Sequence, residues 1–119
     1  MVVPAQYVPD RGDIVWLQFT PQAGHKQAGR RPALVISPQS YNGRVGLALF
    51  CPITSHVKGY PFEVMLETGG NAKGAVLSDQ LKSLDWRARQ AEKFDAVSGP
   101  VMREVLAKIA VLIGWEESR

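Results

Sequence analysis

The sequence predicts a small, mainly β protein: a barrel or strongly coiled sheet of five to seven short strands, followed by a C-terminal helix. Short stretches rich in β-branched and aromatic residues recur along the chain, separated by Gly, Pro and polar turns. One segment near the end instead repeats its apolar residues at helical spacing. The chain has 119 residues, enough for one core, and no repeat, low-complexity tract or internal linker divides it. Residues 1–119 therefore read as a single domain.

Asp13 to Phe19 (Asp-Ile-Val-Trp-Leu-Gln-Phe) is the first expected strand. A polar, glycine-bearing loop follows from Thr20 to Arg31, and loops of that length in small domains often carry function. Pro32 to Ser37 is the second strand, with its Pro at the first position, where no ladder donor is needed. Ser37 to Gly43 reads as a turn or a single helical turn, and Val45 to Thr54 as a strand apolar enough to be buried on both faces. Ser55 to Pro61 is a second polar loop. Phe62 to Leu66, Ala75 to Leu77 and Leu81 to Leu84 are short strands, and Ala88 to Phe94 is a further candidate. Val101, Val105, Ile109 and Leu112, with Met102, Leu106 and Ile113, form one helical stripe, opened by Pro100 and closed by Gly114. A helix with such a stripe must lie on the sheet or on a partner.

The chain carries a net charge of +3. The excess is concentrated in residues 1–62, with six Lys/Arg against two Asp, whereas residues 63–119 carry eight Lys/Arg against nine Asp/Glu. A basic surface built from the N-terminal loops would suit an anionic partner. Met1 to Gln6 shows no basic leader, and no apolar run approaches the length needed to span a bilayer, so a cytoplasmic setting without a membrane partner is expected. The single cysteine, Cys51, lies in an apolar run and reads as a buried small side chain.

The sequence lacks the Gly-rich phosphate loop, the dinucleotide fingerprint, His-Glu-x-x-His and the Gly-x-Ser-x-Gly elbow. One Cys and two His do not make a standard zinc site, and no metal or cofactor is expected. What remains is two loops of shared character: Pro21 to Pro32, with His25, Lys26, Gln27, Arg30 and Arg31, and Cys51 to Pro61, with Thr54, His56, Lys58 and Tyr60. Both combine cations with glycines, hydroxyls or amides and a histidine. Cations attract phosphate, and single-stranded RNA is held by stacking and by hydrogen bonds to splayed bases. RNA can be cut without a metal when its own 2′-hydroxyl attacks the neighbouring phosphate, given proton carriers and a cation at the phosphorane. Arg31, beside Pro32 at a loop–strand junction, is placed to supply the planar fork that matches phosphate oxygens, while Arg30 is expected to be solvated. Thr54, closing an apolar strand, offers a hydroxyl to a cleft. His25 and His56 are candidate proton carriers. Trp16, Phe19, Tyr60, Phe62 and Trp86 are candidate stacking surfaces.

These segments resemble the MazF/PemK family of bacterial toxins. The resemblance rests on Pro9 to Trp16 (Pro-Asp-Arg-Gly-Asp-Ile-Val-Trp), Gln27 to Val35, Ser37-Pro38, Tyr41-Asn42, Pro52-Ile53-Thr54, Lys58 to Val64, Asp79 to Ser83 and Lys108 to Gly114. The blocks are ordered and run from about Tyr7 to Gly114, the expected core of the domain (7–114). The resemblance implies an SH3-like barrel with a C-terminal helix, working as a homodimer. It implies a sequence-specific, metal-independent endoribonuclease that leaves a 2′,3′-cyclic phosphate on single-stranded RNA. It also implies a cognate antitoxin whose acidic C-terminal segment lies over the RNA groove, with DNA reached only through that antitoxin. By motif position Arg31 and Thr54 match the family's catalytic arginine and threonine. Lys26, Gln27, Trp16, Phe19, Asn42, His56, Lys58, Gln80 and Lys82 fall where RNA contacts are expected.

Two departures stand out. The family's usual Glu-Gln-x-Gly-x-Arg-Pro has Lys26 in place of Glu, which reverses a charge beside the arginine and is expected to attenuate the site. The PemK-type branch places an Arg two residues before the Asp-Gln pair. Here that position is Leu77, so Asp79 is expected to be structural. A gyrase-directed toxin of the same fold and a non-catalytic SH3-like interaction module are the two other readings.

Overall fold

The computed structural model describes residues 6–19, 29–67 and 69–115. Its elements follow in the order β1 (Asp13–Gln18), β2 (Arg30–Val35), α1 (Gln39–Val45), β3 (Leu47–Thr54), β4 (Glu63–Met65), β5 (Ala75–Leu77), β6 (Lys82–Asp85), β7 (Glu92–Ala96) and α2 (Gly99–Leu112). The strands form one antiparallel sheet in the order β4-β5-β3-β2-β1-β7, with β6 also paired to β3.

Strand β3 organises the sheet. On one edge it pairs with β2 through Ala33↔Pro52, Leu34↔Cys51 and Val35↔Phe50. On the other it pairs first with β6, from Leu47↔Asp85 to Phe50↔Lys82, and then with β5 through Ile53↔Val76 and Thr54↔Ala75. Its side chains serve two cores. Cys51 and Ile53 join Ile14, Leu34, Val64, Val76 and the helix α2, whereas Ala48 and Phe50 join Val15, Leu17, Ala33, Val35 and Trp86. Burial on both faces explains why this strand reads as a continuous apolar run.

Helix α2 lays Val101, Met102, Val105 and Ile109 on the first core. These positions recur every three to four residues, so one stripe is buried, which stabilises by roughly 1.5–3 kcal/mol per side chain. Ser98 caps the helix by accepting from the Val101 N–H. The expected stripe runs beyond the core, because its last members Leu112 and Ile113 are exposed, as are Val111 and Trp115 beside them.

Several expectations change. Pro32 is the third residue of β2, not the first. The Ala88–Phe94 candidate gives way to β7 at Glu92–Ala96. The Asp85 carboxylate accepts from the N–H groups of Arg87 and Ala88, and Gln90 takes a left-handed φ of 58°, so that stretch turns before it can pair. Among the expected stacking surfaces, Trp86 is core and donates its indole N–H to the Asn42 carbonyl.

Asn42 is a correction. It was expected at an RNA surface, but it is fully buried on α1. Its amide donates to the carbonyls of Pro9 and Ser37 at 2.8 and 2.9 Å, and its Oδ1 accepts from the Ser37 hydroxyl. The side chain ties the segment before β1 to the β2–α1 turn, both its amide protons are used, and its burial puts it out of a ligand's reach.

Candidate RNA-binding groove

The second core does not run the full length of its strands. Val15 and Leu17 on β1, Ala33 and Val35 on β2, and Ala48 and Phe50 on β3 fill one face. Continuing the same alternation outward gives Phe19, Arg31, and Pro52 with Thr54. The β2–β3 ladder stops at Ala33↔Pro52. Pro32 and Pro52, which have no N–H to donate, stand at that point. Beyond it a cleft of about 460 Å³ opens between the strands, lined by Phe19, Arg31, Pro52, Thr54, His56, Lys73, Gln80 and Lys82 among others.

A second cleft of about 520 Å³ adjoins it, lined by Thr54, His56, Lys58, Tyr60, Glu63, Leu77, Asp79 and Gln80. The two share Thr54, His56, Leu77 and Gln80, so they form one groove with Thr54 at its middle. Arg31, Lys73, Lys82 and Lys58 give its walls four cations, against Glu63 and Asp79. That balance favours a polyanion.

The register of the ladder, carried two residues beyond Ala33↔Pro52, sets Arg31 across from Thr54. The Arg31 side chain is exposed and makes no hydrogen bond or ion pair among the described residues. Arg30 was expected to be solvated. It is half-buried instead and bonds to Glu92 on β7, so of this pair only Arg31 offers a free guanidinium to the groove. The Thr54 hydroxyl accepts the His56 N–H at 3.0 Å, which occupies a lone pair and leaves its proton available to donate. Behind it, Gly74 adopts a φ of +109° with its Cα so close to the strand that a Cβ would sit 2.0 Å from the Thr54 carbonyl oxygen. Only glycine lets β5 approach β3 there.

Of the expected site residues, Phe19, Arg31, Thr54, His56, Lys58, Gln80 and Lys82 meet in the groove. Phe19 is held at its rim because Arg89 donates to the carbonyls of Gln18 and Phe19 at 3.1 and 3.0 Å. Lys82, opposite Phe50 on β6, shares the groove's face. Trp16 is not brought there. Alternation turns it to the other face of β1, where it stacks on Phe94 with ring centroids 4.6 Å apart. His25, Lys26 and Gln27 lie outside the described residues.

Sequence reasoning missed Lys73 as a groove residue, because it falls in an unremarkable Gly/Asn turn and only the β3–β5 pairing swings that turn beside Thr54. Asp79 lines the second cleft with Oδ1 buried and without a hydrogen-bond partner among the described residues. Cys51 is buried. Desolvation, with a smaller contribution from Asp79, pushes its thiol up to about 12, so it is protonated and inert. Among the described residues no three His, Cys, Asp or Glu side chains cluster to hold a metal ion, and no helix is long and apolar enough to cross a membrane.

The fold and the sequence match known proteins along nearly the whole chain. A structure of MazF from Deinococcus radiodurans superposes with a TM-score of 0.83 at 55% identity, covering 92% of this chain and 99% of that one. A structure of MazE–MazF from the same organism gives a TM-score of 0.84 at 49% identity, covering 93% of this chain and 100% of that one. These matches bear out the mainly β architecture with a C-terminal helix, and the sheet, which does not close, is that of a small open barrel. The endoribonuclease toxin MazF of Escherichia coli K12 is 49% identical over 110 residues, 92% of this chain and 98% of that protein. The family of the PemK-like, MazF-like toxin of type II toxin–antitoxin systems matches residues 10–113, and the chain belongs to that family.

Proposed function

We propose that this chain is an endoribonuclease that cleaves single-stranded RNA at specific sequences, without a metal, by attack of the 2′-hydroxyl on the adjacent phosphorus. The new bond closes a 2′,3′-cyclic phosphate as the bond to the 5′-oxygen breaks. The observation that carries this is Arg31 and Thr54 facing one cleft, the first with an unengaged guanidinium and the second with a hydroxyl proton to donate. Arg31 holds two oxygens of the phosphorane, and Thr54 donates to a phosphate oxygen. His56, exposed on the same wall, is a proton carrier within reach among the described residues. Lys58, Lys73 and Lys82 hold flanking phosphates, and Phe19 and Tyr60 offer ring faces to unstacked bases.

The relatives support this reading: the Escherichia coli protein bears the name endoribonuclease, and a MazE–MazF pair has been solved. On the same footing the chain is the toxin of a pair, working in the cytoplasm. Its partner is an antitoxin whose acidic C-terminal segment lies in the cationic groove. A second copy of the chain covers the exposed end of α2, where Val111, Leu112, Ile113 and Trp115 stand in solvent. Lys26 stands where the family's usual motif carries Glu, and this reversal of charge attenuates the site.

The test is incubation of a long single-stranded RNA with purified protein in EDTA, with mapping of the cut ends. Discrete cuts ending in 2′,3′-cyclic phosphate are expected, faster with Lys26→Glu. Intact RNA with both forms would overturn the function, and equal rates would overturn the attenuation.

A further inference from the structure

We propose that Glu63 is a positioning residue for RNA binding, acting through the loop that carries Lys58 and Tyr60; the inference rests on the RNA-cleaving function proposed above. A carboxylate in a groove built for a polyanion is out of place by charge alone. Its hydrogen bonds explain it. The N–H groups of Lys58, Gly59 and Tyr60 converge on Glu63, at 3.1, 3.0 and 3.3 Å from Oε1, with Lys58 also 3.2 Å from Oε2. Glu63 in turn donates its own N–H to the Tyr60 carbonyl at 3.0 Å. Successive amides can converge on one anion only when the backbone curls, and Gly59 supplies the curl with a φ of +77°.

The three residues are exposed, so little packing holds them. Beyond them Lys108 of α2 donates from Nζ to the Pro61 carbonyl at 2.6 Å, which anchors the far end of the loop independently. Glu63 thus decides where the Lys58 and Tyr60 side chains stand relative to Thr54, and its carboxylate oxygens are engaged by three amides.

The sign of the effect separates this role from bulk electrostatics. Removing a negative charge from the groove should tighten RNA binding if charge alone matters. If Glu63 positions the loop, Glu63→Gln weakens binding instead. We expect KM for a single-stranded RNA to rise roughly tenfold, the scale of one lost charge-assisted contact, with kcat within about twofold. The slope of log affinity against log salt should fall by about 0.7, one phosphate contact on a single strand, and should not fall further in Glu63→Gln/Lys58→Ala. Gly59→Val gives a second route. A Cβ there meets nothing within 4 Å, so the change acts through the left-handed φ and should raise KM in the same direction while keeping Glu63 charged.

Amide hydrogen exchange of Lys58, Gly59 and Tyr60 reads the clamp without RNA. Protection in the wild type that is lost in Glu63→Gln supports the inference, and unprotected wild-type amides overturn it. If the wild type cleaves RNA and Glu63→Gln shows an equal or lower KM, the inference falls alone. If the wild type neither binds nor cleaves RNA, it falls together with the function.

Discussion

The backbone N–H of His56 donates to the Thr54 hydroxyl at 3.0 Å, at the midpoint of the groove. The bond fixes the rotamer of Thr54 and fills an acceptor site, so the hydroxyl is left to the groove as a donor. Thr54→Val keeps the shape and removes the donor. We expect kcat to fall on the order of 10²-fold, as when one oxyanion donor is deleted elsewhere, and Thr54→Ser to retain most activity. The melting temperature should hold, since His56 is exposed and its amide can turn to water. Single-turnover kinetics with a short RNA would check this, and an active Thr54→Val would remove Thr54 from the mechanism.

Arg31 separates charge from geometry. It is exposed and unengaged, so replacing it costs the fold little. Arg31→Ala should lower kcat by about 10²-fold or more, and Arg31→Lys should recover binding but little of the rate, because an ammonium lacks the planar fork. Full activity in Arg31→Lys would reduce its role to a point charge.

Lys73 is the cation that only the fold brings to the groove. Lys73→Ala should weaken RNA binding equally for all sequences and lower the salt slope by about 0.7, with the cleavage pattern unchanged. Fluorescence anisotropy across a salt series would measure this. An unchanged slope would place Lys73 outside the phosphate path.

Asn42 makes the opposite case. It stands in a motif that the family resemblance assigned to RNA, yet its polar atoms are consumed by Pro9, Ser37 and Trp86. Asn42→Ala leaves buried carbonyls unpaired, so we expect roughly 2–4 kcal/mol of destabilisation in denaturant titration. KM for RNA should be unchanged for the fraction that remains folded. A raised KM with normal stability would restore a surface role.

The contrast between Asn42 and Lys73 shows what the sequence makes legible. The β3 strand and the α2 stripe follow from periodicity, because burial on two faces and on one helical face leaves different spacings. Arg31 and Thr54 are legible through motif and loop chemistry. Burial within a motif is not, since an Asn at the surface and an Asn that ties two turns together read alike. The departure of Trp16 from the groove depends on strand parity, which a one-residue error in a boundary inverts. The turn at Asp85–Gln90 was masked because its apolar residues imitate a strand, while the Asp85 side chain supplies the competing hydrogen bonds.

Acid stability depends on another carboxylate that organises backbone. Asp95 on β7 accepts from the N–H groups of Ala72 and Ala96, both at 2.8 Å, and so ties the β4–β5 turn to the sheet edge. The Ala72 bond foremost, and then the Ala96 bond, hold its carboxyl below the ordinary value of 3.8. A carboxylate with a depressed folded pKa stabilises the fold above its unfolded pKa, and that contribution is lost as pH falls through the folded value. Stability should therefore decline below about pH 4 more steeply in the wild type than in Asp95→Asn, which is less stable at neutral pH but has no proton to gain. Denaturant midpoints between pH 3 and 7 would test it: parallel curves for the two proteins would show that Asp95 does not contribute to the acid transition.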